Sequence, residues 1–134
     1  MTLEPINPSS LPKPRGWTHG MLAAPGSRIL FVAGMTAQDN SGRVPAVGFV
    51  EQWDRALANV LAVLTEAGAG PSAVARMTVF VTDIEQYREE QKAIGEVWRA
   101  RMGKHFPAMA LVQVTALVDP NAMVEIETTA VVPG

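Results

Sequence analysis

The stretch "MVEIETTAVV", Met123–Val132, decides how the rest of the chain is read. It is rich in Val, Ile and Thr and alternates with a period of two, the pattern of a β-strand. Val124 and Ile126 fall on one face and belong to the core. Glu125 and Glu127, two residues apart, leave the other face together. A strand with two acids side by side either shows a solvated outer face or borders something that uses them.

Working outward, "PAMALVQVTAL" (Pro107–Leu117) is a second strand, joined to the first through the turn "VDPN". Further back, Asp83 opens a helix, with Gln86 three residues on as a capping-box partner. Ile84, Tyr87, Ile94 and Trp98 form its buried stripe, and Gly103 ends it. "AVARMTVFV" (Ala73–Val81) is a strand with Met77, Val79 and Val81 on one face. From Phe49, apolar residues at Trp53, Leu57, Val60, Leu61 and Leu64 recur at helical spacing, which predicts an amphipathic helix of about six turns. It stops at "AGAGP", where Gly68 and Gly70 can take left-handed caps and Pro71 blocks continuation. "ILFVAGM" (Ile29–Met35) is a short apolar strand followed by turn chemistry. Residues 1–15, studded with Pro and Ser, read as an extended lead-in to a single domain spanning 1–134.

The class predicted is α+β: one mixed sheet with two helices on one face. Two helices leave the other face bare, and Glu125 and Glu127 lie on it. On the strand expected to lie next to it, Met109, Leu111, Gln113 and Thr115 contain the polar residues, so this set is placed on the bare face beside the glutamates. Met109 and Leu111 exposed there would form an apolar patch, for which another copy of the chain is the expected cover.

Composition narrows the function classes. With 48% hydrophobic and 18% charged residues in 134, the chain has apolar surplus for a subunit contact. A net charge of −2 without basic runs argues against nucleic acid or an anionic membrane as partner. Absence of Cys removes disulfides and thiolate chemistry. With no secretory signal pattern or bilayer-length apolar run, a cytoplasmic location is expected.

Five stretches, "GWTHGM" (Gly16–Met21), "ILFVAGM", "ANVLAVLTEAG" (Ala58–Gly68), "VFVTD" (Val79–Asp83) and "PAMALVQV…LVDPNAMVEIETTAVV", together resemble the RidA (reactive intermediate deaminase) family. The resemblance covers Gly16 to Val132. It implies a chorismate-mutase-like fold, a homotrimer packed through the open sheet faces, and ligand clefts between subunits. It implies no metal and no organic cofactor.

In the deaminases of this family, an Arg directly after Pro-Ala clamps the carboxylate of a 2-imino acid, and a Glu of the closing strand activates water. A bidentate Arg suits a carboxylate, and a carboxylate suits proton removal from water attacking a C=N carbon. The resemblance assigns the catalytic Glu to Glu125, with Glu127 beside it among the ligand contacts. The Arg position is Met109, which has no donors. Where many members have Ser-Gly-Gln, this chain has Ala33, Gly34 and Met35, and Trp17 stands for a Tyr. These place Met109, Gly34, Met35 and Trp17 in the ligand cleft of an altered pocket. Trp17 either stacks on a ligand or covers the rim. His19 is a donor, acid or base near the cleft, or a structural loop residue. Arg15, Arg28, Arg76, Arg101 and Lys104 are the cations available to replace the clamp, each more simply a solvated charge.

Two functions compete on these grounds. One is an imine or enamine hydrolase of altered substrate range, weak on 2-imino acids. The other is a non-catalytic or chaperone-like trimer that holds a small apolar or aromatic metabolite. Ribonuclease activity, attached to some relatives, is disfavoured by the acidic balance and the lack of a basic stripe.

Overall fold

The computed structural model describes residues 2–134, so Met1 of the lead-in lies outside the described residues. Strand β1 (Leu3–Ile6) pairs antiparallel with β2 (Gly20–Ala23), which makes part of the expected lead-in one arm of a two-stranded ribbon. Then follow β3 (Arg28–Met35), helix α1 (Phe49–Glu66), β4 (Val74–Val81), helices α2 (Ile84–Glu89) and α3 (Gln91–Met102), β5 (Ala108–Gln113) and β6 (Val124–Val132). The main sheet has the order β3-β6-β4-β5. The α+β class expected from the sequence is the one observed. The last two strands are not neighbours: β4 lies between them, parallel to β5 and antiparallel to β6.

The helical periodicity from Phe49 translates directly into packing. Ala56, Leu57, Val60 and Leu64 are fully buried, and Phe49 and Trp53 nearly so, against the inner face of the sheet. Each large aliphatic side chain removed from water this way contributes about 1.5–3 kcal/mol. Gly68, at φ +75°, takes the left-handed turn after the helix, whereas Gly70 is extended and not a second cap. The expected second helix is two. Asp83 caps α2 by accepting from the N–H groups of Glu85 and Gln86. At Glu90 the N–H is shared between the carbonyls of Gln86 and Tyr87, which closes the first helix and lets Gln91 begin another. The guanidinium of Arg101 bonds both oxygens of Asp54, at 2.8 and 3.1 Å, tying α3 to α1. That hydrogen bond holds the Asp54 carboxyl below its ordinary range. Its stabilising effect is therefore present at neutral pH and lost as the pH falls through the lowered value.

Register assigns the two faces. Met77, Val79 and Val81 of β4 and Val124, Ile126 and Ala130 of β6 are fully buried under the helices. The alternate residues of β6, Glu125, Glu127 and Thr129, pair with Phe80, Thr78 and Arg76 on the helix-free face. On β5, Met109 pairs with Met77, Leu111 with Val79 and Gln113 with Val81. Met109 and Leu111 therefore pack on the helix-side core, contrary to the placement beside the glutamates. The polar Gln113 that suggested the other assignment is satisfied on this side, its Oε1 accepting from the N–H of Ile84 at 2.9 Å. The open face of β5 carries Ala108, Ala110 and Val112 instead. The bare face is still apolar, through different residues: Phe31 is 78% exposed, Ile29 60% and Val112 43%.

Candidate functional site

Glu125 sits on the open face with Phe80 as its cross-strand neighbour. On its other side β3 carries an irregularity. Val32 pairs with Thr128 and Met35 with Ile126, so three steps along β3 match two along β6. The extra residue is a bulge, which bends the strand and re-aims its side chains. It turns both Val32 and Met35 toward the helices and leaves Ala33 and Gly34 exposed between them. Met35 therefore packs against the helix-side core, on the other side of the sheet from Glu125.

Gly34, by contrast, lies directly against the acid. A Cβ at this position would stand 2.5 Å from Glu125 Oε2 and 2.9 Å from its Cδ. Glycine here lets backbone and carboxylate approach closely. Gly34→Ala is accordingly expected to keep the fold, because the backbone needs no left-handed conformation and only a side chain must move. Any turnover that depends on the carboxylate position should fall by roughly ten-fold or more, since small misplacements of catalytic groups are expensive. Unchanged activity with a shifted Glu125 in a crystal structure of the variant would separate the two.

Trp17, Thr18 and His19 are held at the start of β5. Thr18 forms a parallel bridge with Ala108, its N–H donating to the carbonyl of Pro107 at 3.0 Å and its hydroxyl to that of Phe106. His19 lies edge-on to Trp17, with ring centroids 6.2 Å apart. Its Nε2 is 2.8 Å from the carbonyl of Pro12, an acceptor, so this nitrogen carries the proton and donates. Its backbone N–H donates to Asn7 Oδ1. His19 thus ties the N-terminal segment to β5, and it also lines a small cavity with Trp17, Met109 and Arg76.

Met109 and Trp17 do come together, in a cavity of about 440 Å³ on the helix side of β5. This cavity was not legible as a site. Its walls include Trp53, Tyr87, Trp98 and Phe106, residues whose helical spacing or loop position marks them only as core. Trp53 stacks on Tyr87 and Trp98 on Phe106, at centroid distances of 5.6 and 6.3 Å. Arg15 and Arg99 stand at the cavity as well. Of the other cations considered as clamps, Arg101 is committed to Asp54, and Arg28 donates to the carbonyl of Pro133. No cluster of His, Cys, Asp or Glu suited to a metal occurs among the described residues, and no described helix is long and apolar enough to cross a membrane.

The site residues thus divide into two groups. Glu125, Glu127 and Gly34 occupy the open face, while Met109 and Trp17 border the cavity at β5. In a single chain the sheet stands between the acid and the cavity.

An open-faced mixed sheet backed by helices, with an acid pair on its closing strand, defines the class. A family profile described as Endoribonuclease L-PSP matches residues 15–132. A "2-iminobutanoate/2-iminopropanoate deaminase" of Capra hircus is 33% identical over 105 residues, covering 78% of this chain and 73% of that protein. A RutC family protein of Synechocystis is 33% identical over 135 residues, covering 99% of each. Among solved structures, a Rid family protein of unknown function from Yersinia pestis superposes with a TM-score of 0.85 at 29% identity, covering 97% of this chain and 98% of that one. The chain belongs to the RidA (L-PSP) family.

Proposed function

We propose that the protein is a cofactor-free imine or enamine hydrolase whose substrate range differs from that of deaminases specific for small 2-imino acids. The observation that carries this is Glu125, a carboxylate held against Gly34 on an apolar, helix-free face in a family with iminobutanoate and iminopropanoate deaminases among its members. Water attacks the C=N carbon, forming a C–O bond as Glu125 takes a proton from it, and the C=N electrons pass to nitrogen. The proton is delivered to that nitrogen. The resulting carbinolamine then breaks its C–N bond as its hydroxyl proton passes to the departing nitrogen, releasing ammonia and leaving the carbonyl product.

Glu125 and the β5 cavity lie on opposite sides of one sheet, so a site that uses both takes them from two chains. The exposed Phe31, Ile29 and Val112 support packing of the open face against a neighbouring copy, and the resemblance points to three copies. The acids on this face and the lack of a basic stripe weigh against RNA as the occupant.

The test has two parts. Light scattering should give a mass of three chains, and a stable monomer at micromolar concentration would remove the two-chain site. A coupled assay for ammonia should show turnover of an imine, with 2-iminopropanoate a poor substrate. Met109 cannot provide the charge-assisted bonds of an Arg, each worth about 1.5–3 kcal/mol, or one to two orders of magnitude. Turnover of 2-iminopropanoate equal to that of the Arg-bearing deaminases would overturn the altered range.

A further inference from the structure

The geometry points to a ligand class for the cavity between α1, α3 and β5: a planar aromatic ring that carries a carboxylate or similar anion. Three independent features agree. The walls are aromatic, with the Trp53–Tyr87 and Trp98–Phe106 stacks both lining the space. Aromatic rings prefer offset or edge-on contact with other rings, worth about 0.5–1.5 kcal/mol beyond burial for each pair. A cavity of about 440 Å³ admits a one- or two-ring ligand and lies within the usual range for small-molecule sites.

The second feature is an unanswered donor. Trp53 is 2% exposed, and its indole Nε1–H is buried without a hydrogen-bond partner. Trp98, in the same walls, is satisfied by the carbonyl of His105 at 3.0 Å. Leaving a buried donor unpaired costs about 1–3 kcal/mol, so such groups are rare unless something else completes them. The Trp53 ring lines the cavity while its Nε1 is closed to solvent, so an acceptor on a bound molecule meets that donor as the surrounding wall shifts to admit it.

The third feature is charge. Arg15 and Arg99 both line the cavity, both are exposed, and neither forms a salt bridge among the described residues. An anionic group on the ligand would meet these guanidinium groups in place of the clamp that Met109 does not supply. The cavity then selects for what a small aliphatic imino acid lacks, a flat apolar body. Identifying this ligand as the substrate, an aromatic imine or 2-imino acid, rests on the hydrolase proposed above; the binding does not.

Titration calorimetry on the full chain with indole-3-acetate, neutral indole and acetate tests the assignment. Indole-3-acetate should bind saturably, indole about ten-fold more weakly, and acetate without measurable heat. Arg99→Gln, at an exposed position, should weaken indole-3-acetate by about three- to ten-fold, and Trp53→Phe, which keeps a ring but deletes the donor, by a similar factor. If Trp53→Phe does not fold, the NMR signal of the Trp53 indole N–H in the wild type replaces it. A downfield shift on binding supports the contact, and an unmoved signal overturns it. No saturable binding, equal binding of acetate, or binding that neither change weakens would overturn the ligand class. Binding of indole-3-acetate without hydrolysis of the imine of phenylpyruvate would remove the hydrolase and leave the ligand class standing. Hydrolysis of aliphatic imines without that binding would do the reverse.

Discussion

Glu125→Gln should lower imine hydrolysis by about 10²–10⁴-fold, the usual contribution of a positioned general acid or base, while the assembly stays intact. The amide has nearly the same shape and still fits against Gly34, which leaves room for the carboxylate and no more. What it lacks is the capacity to take a proton from water. Glu127→Gln gives the internal comparison: Glu127 shares the face, lies opposite Thr78 and is exposed, without the glycine contact. Its loss should cost far less. A steady-state assay on both variants, with mass by light scattering as control, distinguishes a catalytic acid from a solvated pair. Equal and small losses would return both glutamates to the outer-face alternative.

Met109→Arg is expected to have the next largest effect, raising turnover of 2-iminopropanoate by about 10- to 100-fold. The resemblance to deaminases puts an Arg at this position, and a bidentate pair with the substrate carboxylate has that worth. The location of Met109 qualifies the substitution. Its side chain is half-buried, packs on the helix-side core and walls the aromatic cavity, so the new guanidinium must extend toward the cavity mouth near Trp17. Without a bound anion the buried charge should lower the melting temperature, and adding a 2-keto acid should restore it. A kinetic assay with a thermal melt, each with and without pyruvate, reads both effects. A variant that is destabilised yet gains no activity would mean that Met109 stands outside the substrate path.

Most of the architecture could be read from periodicity alone. The spacing from Phe49 to Leu64 predicts a helix whose Phe49, Trp53, Leu57, Val60 and Leu64 are indeed buried, with Leu61 only partly so, and the alternation around Glu125 predicts the correct face for both acids. The departures have separate causes. Face assignment on β5 rests on counting polar residues, and Gln113, though exposed, lies at the end of the strand on the helix side, where its Oε1 accepts from the backbone N–H of Ile84. Met35, placed in the cleft by the resemblance, turns to the helix side because one extra residue on β3 inverts the alternation after Val32, and nothing in "VAGM" announces a bulge except the glycine. The aromatic cavity was hidden for a third reason. Trp53 and Trp98 follow helical periodicity like any core residue, and only three-dimensional packing reveals that one indole is left without a partner.

The placement of acid and cavity on opposite sides of the sheet also changes how damage is shared. Each chain in a closed ring would lend its acid to one neighbour and its cavity to the other, so every subunit owns two halves and no whole. One defective chain therefore impairs at most one acid and one cavity, in two different sites. A ring that mixes chains without the acid and chains with a blocked cavity still assembles a sound pair wherever an intact acid meets an intact cavity. Under the two-chain site proposed above, two inactive forms of this protein would complement each other, which no arrangement with a complete site in every chain allows.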